Sequence, residues 1–321
     1  AVDVLWFWKT FALYIFFKMI SSSENRRVGI VDALVPFAKL TIIFITLCSI
    51  VGIFADIGVA GENTVNGLYQ FAFFWGNTIQ TGWLIFSCLC LISDDKNERS
   101  FVRYLAIACI PAILSFSALV YCWFFVAVLL IIFLRGDKKI KLWNIVVLAI
   151  GTVAFLFADI SEYLLSASIR STFWKAAFQL ANQYFPLGTG FASFGSDMAA
   201  RYYSPIYVEL GWSGTWGLGQ ESDYLNDNFF ASILGQFGWI GFILYLVVLA
   251  IMFFYVNKHS NTKYERVSTV ASALTIAAVM VGSASAKSMM GCCMFAVLGI
   301  IMGRENSSDS ELEKVCEEGN N

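Results

Sequence analysis

Long apolar runs separated by short polar segments fill most of this sequence between positions 35 and 302. A helix needs about 20 apolar residues to cross the roughly 30 Å of hydrocarbon in a bilayer, and fewer where its ends snorkel. The composition agrees, because 58% of the residues are hydrophobic and only 14% are charged, whereas a soluble domain is about a quarter charged. The sequence therefore predicts an all-α polytopic membrane protein.

We predict eight spanning helices from these runs. Their bounds are near 35–54, 67–92, 101–116, 118–134, 143–158, 228–256, 267–283 and 287–302. The region 101–134 is divided into a hairpin because about 34 residues at 1.5 Å each would overshoot the bilayer, and Pro111 with the small residues after it permits a turn. The segment 4–20 is either a ninth spanning helix or an interfacial one, since Lys9 and Lys18 interrupt it.

Basic residues orient the predicted helices, because short cytoplasmic loops are enriched in Lys and Arg. Arg26 and Arg27 precede the first span, and Lys258 follows the sixth, whereas the loop 55–66 has neither Lys nor Arg and therefore faces outward. The predicted organisation follows from this orientation. It comprises N-terminal transmembrane helices (1–158), a large extracytoplasmic loop (159–227), C-terminal transmembrane helices (228–302) and an acidic cytoplasmic tail (303–321).

The large outward loop is rich in aromatic residues and poor in charge, which is not typical of a disordered segment. Apolar residues recur at helical spacing from Ser171 to Phe185, which predicts a short amphipathic helix on the membrane surface or against the bundle. We expect Pro186 to end this helix. Arg170 precedes its first turn, and Ser171 or Thr172 is available as the cap.

Four cations are the candidate anion-binding groups of the outward loops. A helix N-terminus favours phosphate, and an arginine adds a bidentate partner. If these cations converge, they form a pyrophosphate site; they are Arg170, Lys175, Arg201 and Lys287. The alternative for Arg170 is a structural salt bridge to Asp159 or Glu162, since exposed ion pairs are common and cheap.

Two aspartates near the outer mouth of the sixth span, Asp223 and Asp227, are candidate carboxylates for chemistry on a sugar hydroxyl. The alternative for Asp227 is a helix N-cap, which Asn226 or Asn228 could equally supply. Downstream, Gly235, Gly238 and Gly241 repeat every three residues, a pattern that predicts close packing against a neighbouring helix. The single histidine, His259, falls in a predicted cytoplasmic loop, so no histidine serves as an outer base.

Other site classes find little support in the sequence. The net charge of −2 creates no field that would attract nucleic acid. Seven of the eight cysteines lie in apolar runs, so we infer no disulfide framework. No metal-ligand cluster is evident, and neither a metal nor another cofactor is expected.

Several pieces of the region 160–250, in this order, resemble the O-antigen polymerase and ligase superfamily. They are R-x3-W at Arg170 and Trp174, FPLGTGFASFGS at 185–196, an aromatic stretch, and SDYLNDNFFASILGQFGWIG at 222–241. More narrowly, the combination is similar to bacterial polysaccharide polymerases of the Wzy type. Two departures are evident: the hairpin turn SFSALVY has no arginine, and members commonly have ten or more helices. The smaller number here, with Ala1 as the first residue, is compatible with missing upstream helices.

The resemblance implies a C-type glycosyltransferase-like (GT-C-like) enzyme of the bacterial cytoplasmic (inner) membrane, active on the extracytoplasmic face. It polymerises undecaprenyl-pyrophosphate-linked repeat units into O-antigen, capsular or exopolysaccharide, without a metal or a nucleotide sugar. The implied partners are the lipid-linked glycan donor and acceptor, membrane lipids, a flippase and chain-length regulator proteins. No nucleic-acid partner is expected. The implied catalytic residues are Arg170, Asp223 and Asp227, and the implied substrate-binding residues are Lys175, Gly188, Gly190, Arg201 and Lys287.

Two other functions are the alternatives. An O-antigen ligase typically presents a histidine near the position of Asp223 to Asp227, and none is present here. A transporter or lipid-linked oligosaccharide flippase would spread polar residues over several spans and show a weak internal repeat. In this sequence the polarity is concentrated in one loop.

Overall fold

The computed structural model describes residues 2–65, 67–95, 98–134, 142–157, 161, 168–220, 222, 224–260 and 262–303. These residues form a helical bundle with one long connection folded onto one end of it. The α-helices of the described ranges are α1 (Val2–Ile20), α2 (Glu24–Phe54), α3 (Thr78–Ser93), α4 (Glu98–Leu114), α5 (Ala118–Phe133), α6 (Leu142–Phe155), α7 (Ile169–Gln183), α8 (Asp197–Arg201), α9 (Pro205–Glu209), α10 (Phe229–His259), α11 (Lys263–Gly282) and α12 (Met289–Ile301).

Three of the described helices are long and apolar enough to cross a membrane. They are Asn25–Phe54, Phe229–Lys258 and Lys263–Gly282. Shorter apolar helices accompany them, among them Thr78–Ser93, Ala118–Phe133 and Met289–Ile301. The prediction of a helical membrane protein is therefore confirmed at the level of class, while the number of spans stays a prediction.

The region 101–134 forms two helices, as predicted. Helix α4 ends at Leu114 and α5 begins at Ala118, with Phe116 in the left-handed region at φ 45° between them. The Tyr121 hydroxyl donates a hydrogen bond of 2.7 Å to the Ile113 carbonyl and closes the turn. Pro111 lies inside α4 and does not divide it.

The predicted start of the second span at position 67 is wrong. Strands β1 (Ala60–Val65) and β2 (Leu68–Phe71) form an antiparallel hairpin there, with Val65 opposite Leu68, and α3 begins only at Thr78. Gly67 and Gly76 adopt φ values of 80° and 64°. Such left-handed backbone interrupts a helix and suits glycine, so the apolar residues between them do not extend α3.

The first helix, α1, is part of the bundle and packs along α12. At its C-terminal end, a Cβ atom added to Gly299 would lie 2.4 Å from the Tyr14 carbonyl oxygen. At its N-terminal end, Lys287 Nζ donates to the Phe7 carbonyl at 2.7 Å, and the buried Asp3 carboxylate accepts from Ser196 Oγ at 2.6 Å. This packing favours a bundle helix over an interfacial one for the segment 4–20.

Ion pairs tie α2 to the residues that immediately follow α3. The Arg27 guanidinium pairs with the Asp94 carboxylate, and both side chains are buried. The Lys39 ammonium lies 2.5 Å from the Asp95 carboxylate. Arg27, one of the basic residues that orient the predicted topology, is thus paired with an acidic residue that follows α3.

The close packing of α1 on α12 can be tested with Gly299→Ala. The added Cβ atom would collide with the α1 backbone, and overpacking of this kind costs about 1–3 kcal/mol. We expect a lower unfolding temperature for the detergent-purified protein. Gly29→Ala is the control, because a Cβ atom on Gly29 meets nothing within 4 Å. Equal unfolding temperatures for the two variants would contradict this packing.

Candidate functional site

Helix α7 carries Arg170 and begins with a side-chain cap. Ser168 Oγ accepts a hydrogen bond from the Ser171 amide at 3.2 Å, so the prediction of Ser171 or Thr172 as the cap is wrong. Because the cap lies earlier in the chain than expected, Arg170 belongs to the first turn of the helix. The helix ends at Gln183, shortly before Pro186.

The amphipathic character of α7 is confirmed, and its apolar face packs against the bundle, on α10. Two indole groups fasten it there. Trp174 Nε1 donates to the Val281 carbonyl in the last turn of α11 at 2.9 Å. Trp239 Nε1 of α10 donates to Asn182 Oδ1 near the end of α7 at 2.9 Å. Arg170 is therefore held at a fixed place relative to α10 and α11.

The rest of the long connection has a small aromatic core of its own. The Phe173 and Phe194 ring centroids are 4.6 Å apart, and the Tyr207 ring stacks on Trp212 at 5.5 Å. Burial raises the pKa of the Tyr207 hydroxyl above its ordinary value. That hydroxyl accepts from the Gly195 amide at 2.8 Å and lies 3.5 Å from the Leu225 carbonyl. This core explains how a long connection between helices keeps an ordered shape.

The segment that follows α7 fills a break in α10. Gly238 has φ 61° and ψ −163°, which are not helical values. The Thr189 and Gly190 amides donate to the carbonyls of Gly235 and Gln236 at 3.0 and 2.9 Å. The Ala192 amide donates to Gln236 Oε1 at 2.7 Å. A broken apolar helix needs such replacement partners for its freed carbonyls.

Glycine at two positions permits this close approach. A Cβ atom on Gly188 would lie 2.4 Å from the Gly238 nitrogen, and a Cβ atom on Gly238 would lie 2.3 Å from the Pro186 carbonyl oxygen. Gly235 and Gly238 thus contact the connection between α7 and α10, whereas a Cβ atom on Gly241 would meet only Phe237 of α10 itself. The prediction that the repeat packs against a neighbouring helix is therefore wrong. The amides near Gly188 and Gly190, residues that the resemblance assigns to substrate binding, serve this fastening.

Arg170 and Asp227 form an ion pair. Arg170 Nη2 lies 3.1 Å from Asp227 Oδ2, and the two side chains are 38% and 30% exposed. Ser283 Oγ, just beyond α11, donates to Asp227 Oδ1 at 3.4 Å. The first turn of α7, the residue before the N-cap of α10 and the end of α11 therefore meet at one point, which we call the site end of the bundle.

The sequence also predicts alternative roles for Arg170, as a structural ion pair, and for Asp227, as a helix cap. Asp159 and Glu162, the alternative partners of Arg170, lie outside the described residues, as does the candidate base Asp223. Asp227 is not the helix cap, because Asn228 occupies that position. The structure therefore brings together two of the residues that the sequence selects separately, Arg170 and Asp227.

The other predicted cations do not converge on Arg170. Lys175 is exposed, and Arg201 pairs with Asp197 at 3.5 Å on the surface of α8. Lys287 is only 2% exposed and donates to the Phe7 carbonyl and to Thr10 Oγ1. Its ammonium also lies 4.1 Å from the Phe229 ring centroid. Lys287 thus fastens α1 and Arg201 has a local partner, and Arg170 is the one of these four cations that lines the cavity beside Asp227.

A cavity of about 440 Å³ surrounds the ion pair. Hydroxyl groups and aromatic rings share its wall with the charged residues. The lining residues are Ser168, Ile169, Arg170, Thr172, Thr215, Trp216, Leu218, Tyr224, Asp227 and Asn228. The sequence analysis missed Thr215 and Trp216, which lie in the aromatic stretch between the two recognisable motifs.

A second groove, of about 320 Å³, lies between α1 and α10 and is almost wholly apolar, with Phe7, Phe11, Phe237 and Tyr245 in its wall. It has no charged lining residue, so the cavity around Arg170 is the candidate functional site. Within the described ranges, no group of three or more His, Cys, Asp or Glu side chains is arranged to hold a metal ion. An arginine and a carboxylate in a polar cavity can bind an anion and take a proton from a hydroxyl group.

No protein-family model matches the chain, and a search among curated proteins finds no match. The residues of the cavity and the sequence resemblance are therefore the basis for a functional assignment.

Gly188→Ala tests the fastening between the α7–α10 connection and the break in α10. The substitution places a Cβ atom on the α10 backbone at a residue with φ 74°, so we expect a loss of about 1–3 kcal/mol in stability. The expected result is a lower unfolding temperature and faster proteolysis between α7 and α10. Gly214→Ala is the matched control, since nothing lies within 4 Å of its added Cβ atom. Wild-type protease resistance in Gly188→Ala would contradict the fastening.

Proposed function

We propose that this chain is a membrane-embedded polysaccharide polymerase and that the cavity around Arg170 and Asp227 is its active site. Its substrates are undecaprenyl-pyrophosphate-linked oligosaccharide repeat units, and its product is O-antigen, capsular or exopolysaccharide. One observation carries the proposal. Arg170 and Asp227, which are 57 residues apart in sequence, form a pair in a cavity lined by hydroxyl groups and aromatic rings.

In this proposal α1 to α6 and α10 to α12 cross the bacterial cytoplasmic membrane, and the cavity opens on the outer face. The distribution of charge supports this orientation. Asp3 of α1 contacts the α7–α10 connection at the site end, so α1 ends and α2 begins at the opposite end. Arg27 and Lys258 lie at that opposite end, where the positive-inside rule places the cytoplasm.

The proposed reaction is a glycosyl transfer. A hydroxyl oxygen of the acceptor attacks the anomeric carbon of the donor, and the bond from that carbon to the pyrophosphate oxygen breaks. Undecaprenyl pyrophosphate leaves with the electron pair, and Asp227 takes the hydroxyl proton. Arg170 stabilises the negative charge that develops on the leaving pyrophosphate. Because pyrophosphate competes with Asp227 for Arg170, donor binding releases the carboxylate for its role as base.

The O-antigen ligase and the lipid-linked oligosaccharide flippase are the alternatives. The ligase is less well supported, because ligases typically use a histidine in the outer loop. The single histidine here, His259, ends α10 on the far side of the bundle from Asp227. The flippase is less well supported because the charged pair lies at one end of the bundle rather than along a path through it.

Arg170→Ala tests the anion site. We expect long polysaccharide to disappear, since removal of one group that stabilises a developing charge typically costs about 10²–10³-fold in rate. Arg170→Lys should restore only part of the activity, because lysine lacks the planar bidentate geometry. Glycan length on gels and the amount of membrane protein are the measurements. Arg201→Ala, which removes an exposed arginine with a different partner, should behave as wild type.

Asp227→Asn tests the base and separates the three functions. The amide cannot take a proton, so we expect single repeat units on the lipid carrier and a loss of about 10²-fold or more in rate. Asp197→Asn, which weakens a surface pair, is the control. Full-length polymer retained on undecaprenyl pyrophosphate would favour the ligase. Single units trapped on the cytoplasmic face would favour the flippase, and normal polymer would remove Asp227 from the chemistry.

A further inference from the structure

The burial of α10 changes at its break. Every residue from Phe229 to Gln236, on the side of the break that leads to Asp227, is buried. Beyond Gly238 the helix turns large apolar side chains outward. They are Ile240, Ile243, Leu244, Leu246, Val247, Val248, Ile251 and Phe254. In a helix that is long and apolar enough to cross a membrane, an exposed apolar face of this length is a surface for lipid.

The lengths of two helices place the edge of the hydrocarbon at this break. About 20 residues remain from Trp239 to His259, or roughly 30 Å of helix, which matches the hydrocarbon core of a bilayer. Helix α11 runs back from the end of α10 and has 20 residues, and Ser283 just beyond it donates to Asp227. Both helices therefore cross over a similar length, and residues 229–237 of α10 lie beyond the hydrocarbon.

Two indole groups lie at the same level. Trp239 directly follows the break, and its Nε1 donates to Asn182 Oδ1 at 2.9 Å. Trp174 Nε1 donates to the Val281 carbonyl, one residue before the end of α11. Tryptophan is enriched where a membrane meets water, because its ring is apolar and its N–H group is polar. The break in α10, the end of α7 and the end of α11 thus share one membrane boundary.

Two exposed apolar side chains of the connection between α7 and α10 lie beside this boundary. Phe185 and Leu187 are 71% and 67% exposed, although the backbone that carries them is fixed to α10. The Ile240 amide approaches the Pro186 carbonyl at 3.5 Å. A Cβ atom on Gly238 would lie 2.8 Å from the Leu187 carbonyl carbon. Both side chains are therefore held next to the first lipid-facing residue of α10.

We propose that Phe185 and Leu187 form an apolar tip that inserts into the lipid at this boundary. The partner is the leaflet on the side of α7, at the depth where acyl chains meet the headgroups. Continuity with the lipid-facing residues of α10 favours lipid over a protein, because Pro186, between the two side chains, contacts the backbone of Ile240. The tip fastens the connection to the membrane as well as to α10. It depends on α10 crossing the membrane and not on the proposed reaction.

Photocrosslinking in native membranes identifies what covers the tip. In the full-length chain, Phe185 or Leu187 is replaced by p-benzoylphenylalanine, which on irradiation bonds to C–H groups that it touches. Mass spectrometry of the purified protein should show a phospholipid adduct at each position. The matched control carries the same probe at Tyr202, which is 77% exposed in the same connection and follows the charged, exposed Arg201. No phospholipid adduct is expected there.

Three other outcomes of this experiment would overturn the tip. A crosslinked dimer of the chain, or an adduct with another protein, would assign the surface to a protein partner. The absence of any adduct at both Phe185 and Leu187 would leave these side chains in water. Equal amounts of lipid adduct at the tip and at Tyr202 would show that lipid contact is not particular to the tip.

A second measurement tests how much the tip contributes to the fastening. Substitution of an exposed side chain that has no partner changes stability little, whereas burial of a Phe or Leu in lipid shifts an equilibrium by about 10-fold or more. Phe185→Ser and Leu187→Ser should therefore each make proteolysis of the connection in membrane vesicles about 10-fold faster. Tyr202→Ser is the control and should be cleaved at the wild-type rate. Wild-type cleavage rates in both tip variants would contradict insertion.

Discussion

The break in α10 is the constraint on which the site depends. A helix that is interrupted in an apolar setting exposes carbonyl oxygens that water does not reach, and these must find donors elsewhere in the protein. Here the donors are the amides of Thr189 and Gly190, supplied by the connection that follows α7. The connection is therefore fixed by backbone hydrogen bonding, whose geometry varies little with side-chain identity. Arg170 and Asp227 meet because α7 and the start of α10 are fixed by the same fastening.

The features that follow local rules could be predicted from the sequence. Apolar runs place the helices because hydrocarbon thickness sets their length, and the hairpin at 115–117 follows from the same argument. The amphipathic pattern places α7, because the 3.6-residue period is a property of the chain itself. Arg170 and Asp227 could each be selected, since a cation and a carboxylate in an aromatic outer loop are chemically unusual.

The features that depend on distant partners could not be predicted. The sequence indicates that Lys287 is a cation in an outward loop. Its partner in the structure is the backbone carbonyl of Phe7. Because every residue has a backbone carbonyl, such a partner cannot be recognised from the sequence. The glycines of the PLGTG segment suit a turn, a ligand contact or a close backbone contact equally well until Gly238 is seen opposite Gly188. The pairing of Arg170 with Asp227 spans 57 residues and requires the fold. The β1–β2 hairpin was not predicted because the largely apolar residues from Leu68 to Trp75, which include β2, adjoin the apolar run of α3.

The packing of α1 on α12 has a consequence for biogenesis. Ser21 Oγ reaches the Gly299 carbonyl across 278 residues, and Lys287 reaches Phe7 across 280. Contacts of such sequence separation cannot form until the later partner has been synthesised, and they delay folding. Among the described helices, α1 therefore cannot complete its packing until α12 has been synthesised. Of the described helices, α1 and α12 thus form the seam that closes last, and its residues lie at opposite ends of the described sequence.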